Sequence, residues 1–364
     1  MMKTVELTGV RELTVKEKPA PESVDGRPVI KVEASGICGS DIHYWDDGQP
    51  LGLVMGHEFS GTVSDPGSSK DLKVGDRVVC LSVAPCLECP DCLSGHTSAC
   101  IHKGKAPGII EASRPGAYAQ YFSPLKEEYL LKLPDSMTFE EAALIEPATV
   151  GLHTARLGID KMGKTVLVTG AGLIGAMTMQ WCKKLGAKKV YFTEVNESRA
   201  KKILEMGYAD VWLNGLEGYN ELAAKFDESS ENYGIQLGIA AQMLQIAGMP
   251  LGFDEVMDCS GHPSALNQGI ALSKNYGSVV WAGVRSKPFA LQHSLTIFRN
   301  INIKSFLGFD IPEYEMAMKS IADGSFPVKQ YQSGSCTPET TQEAFVKLTT
   351  PGNDLFKIIL YPQK

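Results

Sequence analysis

The chain has 364 residues, enough for about two domains, and 43% of them are hydrophobic against 21% charged, so a full apolar core is within reach and general disorder is excluded. A formal charge of -7 argues against a nucleic-acid-binding surface, which needs a basic excess. The opening Met1-Met2-Lys3-Thr4-Val5-Glu6 lacks the apolar stretch of a secretory signal, and no run approaches the roughly 20 apolar residues of a membrane span. The expectation is a cytoplasmic protein without membrane or nucleic-acid partners, in which nine cysteines serve metal binding or chemistry before disulfides.

In chain order, the first ~150 residues alternate short apolar runs, such as Pro28–Val32 and Asp76–Cys80, with Gly- and Pro-rich turns. That pattern predicts a compact β domain. Within it, Cys38-Gly39-Ser40-Asp41-Ile42-His43 precedes Gly56-His57-Glu58. Thiolate, imidazole and carboxylate together suit a catalytic zinc that keeps a position open for substrate, although a lone Cys or His is more often a packing residue. Next, Cys86, Cys89, Cys92 and Cys100 form a C-x2-C-x2-C-x7-C run. Four thiolates in so short a loop can close around one tetrahedral ion, so structural zinc is the leading reading; an iron–sulfur cluster and disulfides are the alternatives. Glu146, in Ile145-Glu146-Pro147-Ala148, is a further candidate for the catalytic set.

The pattern changes near Lys164. Thr165–Val168 reads as a strand buried on both faces, followed by a helix over Leu173–Leu185, a strand over Lys189–Thr193 and a helix over Glu197–Met206. Later strands are expected at Glu255–Asp258 and Ser278–Trp281. Strand–helix alternation predicts a doubly wound parallel sheet, an α/β unit. Between Asp210 and Phe253 lies a long insertion, with a polar loop over Asp227–Asn232 and a helix over Ile235–Ile246.

Gly170-Ala171-Gly172-Leu173-Ile174-Gly175 is a G-x-G-x-x-G that follows a buried strand and opens a helix, the context that makes it a dinucleotide fingerprint. A phosphate would sit on the helix N-terminus. Glu194, 19 residues after Gly175, can accept hydrogen bonds from a ribose diol and repel a 2′-phosphate, which favours NAD over NADP. Arg199 stands close enough in sequence to soften that preference.

The order and spacing of these motifs resemble the zinc-containing medium-chain dehydrogenase family, and within it the polyol branch that acts on sorbitol and xylitol. The likeness runs over nearly the whole chain: Gly36–Tyr44, Gly56–Gly61, Gly75–Val78, the four-cysteine lobe, Gly116–Tyr121, Glu146-Pro147 and the glycine-rich turn. It implies a GroES-like β-rich catalytic domain over residues 1–147 and 309–364, its zinc lobe near 86–100, and a Rossmann domain over 148–308, with the active site in the cleft between them. It implies NAD and two zinc ions. The catalytic zinc would be held by Cys38, His57 and Glu58, with Glu146 as a direct ligand or a holder of the zinc water, and with Asp41 orienting His57. Many alcohol dehydrogenases carry Cys where this chain has Glu146. The released proton would pass from Ser40 through the cofactor ribose to His43. Cys259 and Gly283 would lie at cofactor-binding positions, while the Cys259 thiol itself, like Cys80, Cys182, Cys336, His153 and His262, would have a structural role. Tyr44, Trp45 and Phe59 are candidate substrate-pocket walls, with ordinary apolar packing as the alternative.

One departure bears on the substrate. The polyol branch carries an Arg-Tyr pair near the end of the cofactor domain, and the corresponding stretch here is Ser305-Phe306-Leu307-Gly308-Phe309. The missing arginine points away from sorbitol and xylitol themselves, towards another polyol, a cyclitol or a sugar derivative. Threonine, butanediol and sugar-phosphate dehydrogenases are the rival readings. A zinc-free reductase and a non-catalytic nucleotide-binding homologue rank lower, because the ligand set, Ser40 and His43 are all present. The segment Ile301–Gly308 resembles the strand that pairs across subunits in this family and implies a homodimer or homotetramer.

Overall fold

In the computed structural model the chain is described over residues 1–364 apart from 103, 105, 160, 161, 228–231 and 286. It divides into two units, Met1–Pro147 with Phe309–Lys364, and Ala148–Gly308.

The first unit is β-rich. A seven-stranded sheet runs Gln332–Cys336, Lys357–Leu360, Val29–Gly36, Glu58–Asp65, Arg77–Cys80, Leu130–Lys132, and Tyr121–Phe122 also pairs with Val29–Gly36. Val29–Gly36 is buried at every position but Lys31 and Glu33, and Lys357–Leu360 is buried along its whole length. A separate hairpin pairs Met2–Gly9 with Glu12–Lys18. Between the strands Val29–Gly36 and Glu58–Asp65 sits the helix Gly39–Asp47, capped at its start by Cys38 and ended by Gly48 in the left-handed region.

The second unit holds a six-stranded sheet in the order Val211–Trp212, Lys189–Thr193, Thr165–Thr169, Phe253–Asp258, Ser273–Trp281, Asn302–Ser305. Every neighbouring pair in it is parallel. The central strand Thr165–Thr169 is buried at four of its five positions, which is why its sequence is a continuous β-branched and leucine run. The helix Leu173–Lys184 follows it and Glu197–Glu205 follows Lys189–Thr193, within a residue of the predicted ends. The insertion forms the short helix Tyr219–Ala223 and the helix Tyr233–Ile246. Most of the polar stretch read as a loop over Asp227–Asn232 lies outside the described residues. Among those described, no helix is long and apolar enough to cross a membrane.

Candidate active site and dinucleotide site

The first unit gathers its chemistry at one end of the sheet. Glu58 begins the strand Glu58–Asp65 and faces Gly36 at the end of Val29–Gly36, so Cys38 and the His57-Glu58 pair meet by antiparallel register. Gly56 makes the approach possible: its φ is +97°, and a Cβ there would stand 2.6 Å from the Tyr118 ring. Ligand atoms of Cys38, His57 and Glu58 lie within 4.8 Å of one another, and His57 and Glu58 are buried. Glu146, in the first turn of the helix Ile145–Gly158, falls outside that set; its carboxylate accepts a hydrogen bond from Ser82 Oγ at 2.9 Å. Burial and the charge of Glu58 push the Glu146 pKa up to about 7, so the two carboxylates are electrostatic neighbours.

Asp41 Oδ2 accepts from the Cys38 N–H at 3.0 Å and the Tyr118 hydroxyl at 2.7 Å. Its Oδ1 faces His57 Nδ1 at 3.7 Å, too long for a hydrogen bond, and both of those buried atoms lack a partner. Burial lowers the His57 pKa, but the charges available to Cys38, Asp41 and Glu146 outweigh it and raise the pKa well above its usual value, while burial in turn pushes the Cys38 and Asp41 pKa values up. Acidic groups crowded around one buried imidazole, with pKa values pushed up by burial and orphaned polar atoms among them, fit a site completed by a cation. A thiolate, imidazole and carboxylate donor set suits zinc.

Ser40 and His43 lie in the helix Gly39–Asp47. Ser40 Oγ is buried with no partner, and the His43 side chain is exposed. The Tyr44 hydroxyl accepts from the Ile110 N–H at 3.1 Å. Trp45 and Phe59 sit in packing positions: Trp45 lies 5.6 Å from the Phe345 ring with its N–H towards Gln342, and Phe59 meets Phe122 edge-on at 4.8 Å. Both are buried to within 2% of full enclosure.

Cys86, Cys89, Cys92 and Cys100 form a second cluster of ligand atoms mutually within 4.8 Å. The Cys86 thiol receives N–H groups from the loop, including Cys89 N at 3.3 Å, and Cys100 Sγ receives Cys86 N at 3.3 Å. Backbone N–H donors, led by Glu88, pull the Cys86 pKa down to about 6. A turn that aims its amides at sulfur stabilises the Cys86 thiolate, whereas burial pushes the Cys92 pKa up to about 12; the four clustered sulfurs fit a closed zinc site.

In the second unit a cavity of about 680 Å³ opens at the carboxyl ends of the strands. Gly170, Gly172, Glu194, Arg199, Cys259 and Ser260 contribute to its wall. Gly170 has φ +83° and a Cβ there would meet Ser260 at 2.9 Å; a Cβ on Gly175 would lie 2.0 Å from the Gly170 carbonyl. Gly172 caps the helix Leu173–Lys184 with nothing within 4 Å of its missing Cβ, leaving the helix N-terminus bare for a phosphate. Leu173, Ile174 and Gly175 form the first turn of that helix. Glu194 is held from both sides, Oε2 by Ala171 N at 3.0 Å and Oε1 by Asn196 N at 2.8 Å, with Arg199 3.6 Å away. Gly283 is not on the cavity wall; its N–H donates to the Asp258 carbonyl at 2.8 Å.

Residues 25–135 match the alcohol dehydrogenase GroES-like domain and residues 174–323 the zinc-binding dehydrogenase domain. Human sorbitol dehydrogenase is 31% identical over 93% of this chain and 90% of its own length. The chain belongs to the zinc-containing medium-chain dehydrogenase family. A probable D-xylulose reductase A of Aspergillus clavatus is 30% identical over 93% of this chain and 91% of that protein. Among solved structures, a zinc-binding dehydrogenase of Sinorhizobium meliloti bound to NADP superposes with TM-score 0.80 at 25% identity, over 100% of this chain and 99% of that one. This dehydrogenase is thus an enzyme of the zinc alcohol-oxidising class, with the GroES-like and Rossmann architecture expected from its motifs. Lys357 and Ser82 are the site neighbours that sequence reading missed. Lys357 opens an apolar run, Lys357-Ile358-Ile359-Leu360, and there reads as an ordinary charged strand end.

Proposed function

We propose that this dehydrogenase oxidises a secondary alcohol of a polyol, cyclitol or sugar derivative to a ketone, with NAD as the hydride acceptor. The convergence of Cys38, His57 and Glu58 carries the reading. Cys38, His57 and Glu58 would hold the catalytic zinc, with Glu146 as a further ligand or an electrostatic neighbour of that set, and the four lobe cysteines would hold the structural one. When bound, zinc supplies Lewis acidity that eases loss of the alcohol proton, and the nicotinamide supplies the hydride acceptor.

The residues of the chain do the rest. Asp41 fixes the Cys38 turn through its backbone N–H and presents Oδ1 towards His57 Nδ1, so that a modest closing would set the tautomer that leaves Nε2 for the metal. Ser40 Oγ, buried and without a partner, takes the alcohol proton first, and exposed His43, three residues on in the same helix, delivers it to solvent. The bare N-terminus at Gly172 binds the pyrophosphate, and Glu194 binds the adenosine ribose. The polyol class is supported by the likeness to sorbitol dehydrogenase and D-xylulose reductase, and the missing arginine at Ser305–Phe309 favours a hydroxylated substrate other than sorbitol or xylitol. The strand Asn302–Ser305 is the outer strand of its sheet, and we assign it to pairing with a second copy in a homodimer or homotetramer.

Metal analysis tests this reading. Two zinc ions per chain are expected, falling to one in Cys38→Ser. A single zinc in the wild type would confine the metal to a structural role.

A further inference from the structure

The end of the sheet that carries Cys38, His57 and Glu58 also carries a lysine buried to 2% exposure. Lys357 Nζ donates to Glu58 Oε2 in a very short ion pair, and to the Ile37 carbonyl at 2.8 Å. Glu58 is itself 1% exposed. The two residues are 299 positions apart in sequence and meet because Lys357–Leu360 pairs antiparallel with Val29–Gly36, whose last residue also faces Glu58. Gly36 keeps the slot open: a Cβ there would stand 2.5 Å from Glu58 Oε2 and 3.2 Å from Lys357 Cδ. A larger residue there would push the carboxylate and the lysine stem out of their present positions.

A fully buried lysine is costly unless paired, so the fold has committed to this contact. The contact also bears on Glu58 as a metal donor. The carboxylate is engaged through Oε2 by a full positive charge, and a carboxylate oxygen of the same group lies within 4.8 Å of the Cys38 and His57 donor atoms. A cation on one side of a carboxylate draws away the charge it can give to a cation on the other.

We propose that Lys357 is a positioning residue that competes with the metal for Glu58, keeping Glu58 a weak donor and the zinc correspondingly electron-poor. The inference rests on the assignment of zinc to Cys38, His57 and Glu58. In the metal-free protein Lys357 neutralises Glu58; in the loaded protein the ammonium and the metal share it. The two cations are therefore antagonists, and removing the lysine strengthens the metal's hold. A lysine that merely aligned the carboxylate would have the opposite effect.

The test is a chelator titration of the zinc-loaded wild type, Lys357→Met and Lys357→Arg, with the zinc retained per chain as the readout and the four-cysteine site as internal reference. Lys357→Met is expected to hold the catalytic zinc about tenfold more tightly, a change of about 1.4 kcal/mol, with the reference site unmoved and Lys357→Arg close to wild type. Thermal unfolding supplies a second readout: the gap in Tm between loaded and stripped protein widens in Lys357→Met, because only the stripped form leaves Glu58 buried and unpaired. Where stripped Lys357→Met does not fold, refolding in the presence of zinc recovers it. Glu58→Gln, made alone and with Lys357→Met, completes a double-mutant cycle in which the lysine substitution tightens zinc only when Glu58 is present. Unchanged or weaker zinc binding in Lys357→Met, tightening that survives in Glu58→Gln, or failure of zinc to recover the fold each overturns the proposal. A wild type that holds only the reference zinc overturns the metal assignment beneath it, and the two failures are distinguishable because that one appears before any substitution is made.

Discussion

Replacing Glu194 by glutamine isolates the basis of the NAD preference. Both carboxylate oxygens already accept a backbone N–H, Ala171 at 3.0 Å and Asn196 at 2.8 Å. An amide has one acceptor oxygen, so Glu194→Gln turns its NH2 against one of those donors and loses the charge that strengthens bonds to the ribose hydroxyls. A hydrogen bond to a charged group is worth about 1.5–3 kcal/mol, so NADH affinity should fall by roughly 10- to 150-fold. NADPH should lose less, or gain, because the repulsion of the 2′-phosphate disappears while Arg199 stays 3.6 Å from the same position. Titration calorimetry of NADH and NADPH against both proteins reads this without knowledge of the alcohol. The Sinorhizobium relative bound to NADP makes the experiment pointed, since a protein of the same fold takes the phosphorylated cofactor. A wild type that binds NADPH as tightly as NADH, or a variant whose ratio is unchanged, would refute the reasoning.

Other positions separate packing from function. Trp45→Ala should destabilise the protein by about 3–5 kcal/mol in denaturant unfolding while leaving the KM for the alcohol within a small factor, as its contacts with Phe345 and Gln342 imply; a large KM rise with little stability loss would return Trp45 to the substrate wall. The glycine-rich turn predicts a contrast. Gly172→Ala folds, because its Cβ meets nothing within 4 Å, but binds NADH more weakly, whereas Gly175→Ala, with a Cβ 2.0 Å from a carbonyl, is expressed poorly or melts early. Equal behaviour of the two would contradict the assignment. Asp254 gives a pH dependence. Burial alone would raise its pKa, but hydrogen bonds from Lys274 and from the Thr165 N–H and hydroxyl outweigh burial and hold it below the usual carboxylate range. A pKa lowered by folding adds stability that is present above the unfolded value near pH 4 and fades as pH falls through the folded value. Asp254→Asn should therefore lower Tm at neutral pH and converge on wild type in acid; a constant offset across that range would rule the ion pair out as the cause.

Much of the architecture was legible because local patterns agreed with global ones. The run Thr165–Val168, the glycine-rich turn and the strand–helix alternation placed the elements of the second unit to within a residue at several helix ends. The four lobe cysteines were legible because their spacing alone confines them to one loop. The set Cys38, His57 and Glu58 needed family likeness, since only strand register carries Gly36 to Glu58. Lys357 gave no signal at all. Its partner lies 299 residues away, and a lysine opening an apolar strand normally points to solvent. Trp45 and Phe59 were ambiguous for the reverse reason, because an aromatic beside a metal motif looks the same whether it lines a pocket or fills a core.

The most direct test of the enzyme reading is NADH formation by the zinc-loaded protein and its Cys38→Ser variant across polyols, cyclitols, sugar derivatives, sugar phosphates, threonine and butanediol. The account predicts NADH with a polyol, cyclitol or sugar derivative in the wild type and none in Cys38→Ser. Activity confined to threonine or butanediol, no activity with any of them, or full activity in Cys38→Ser would contradict it.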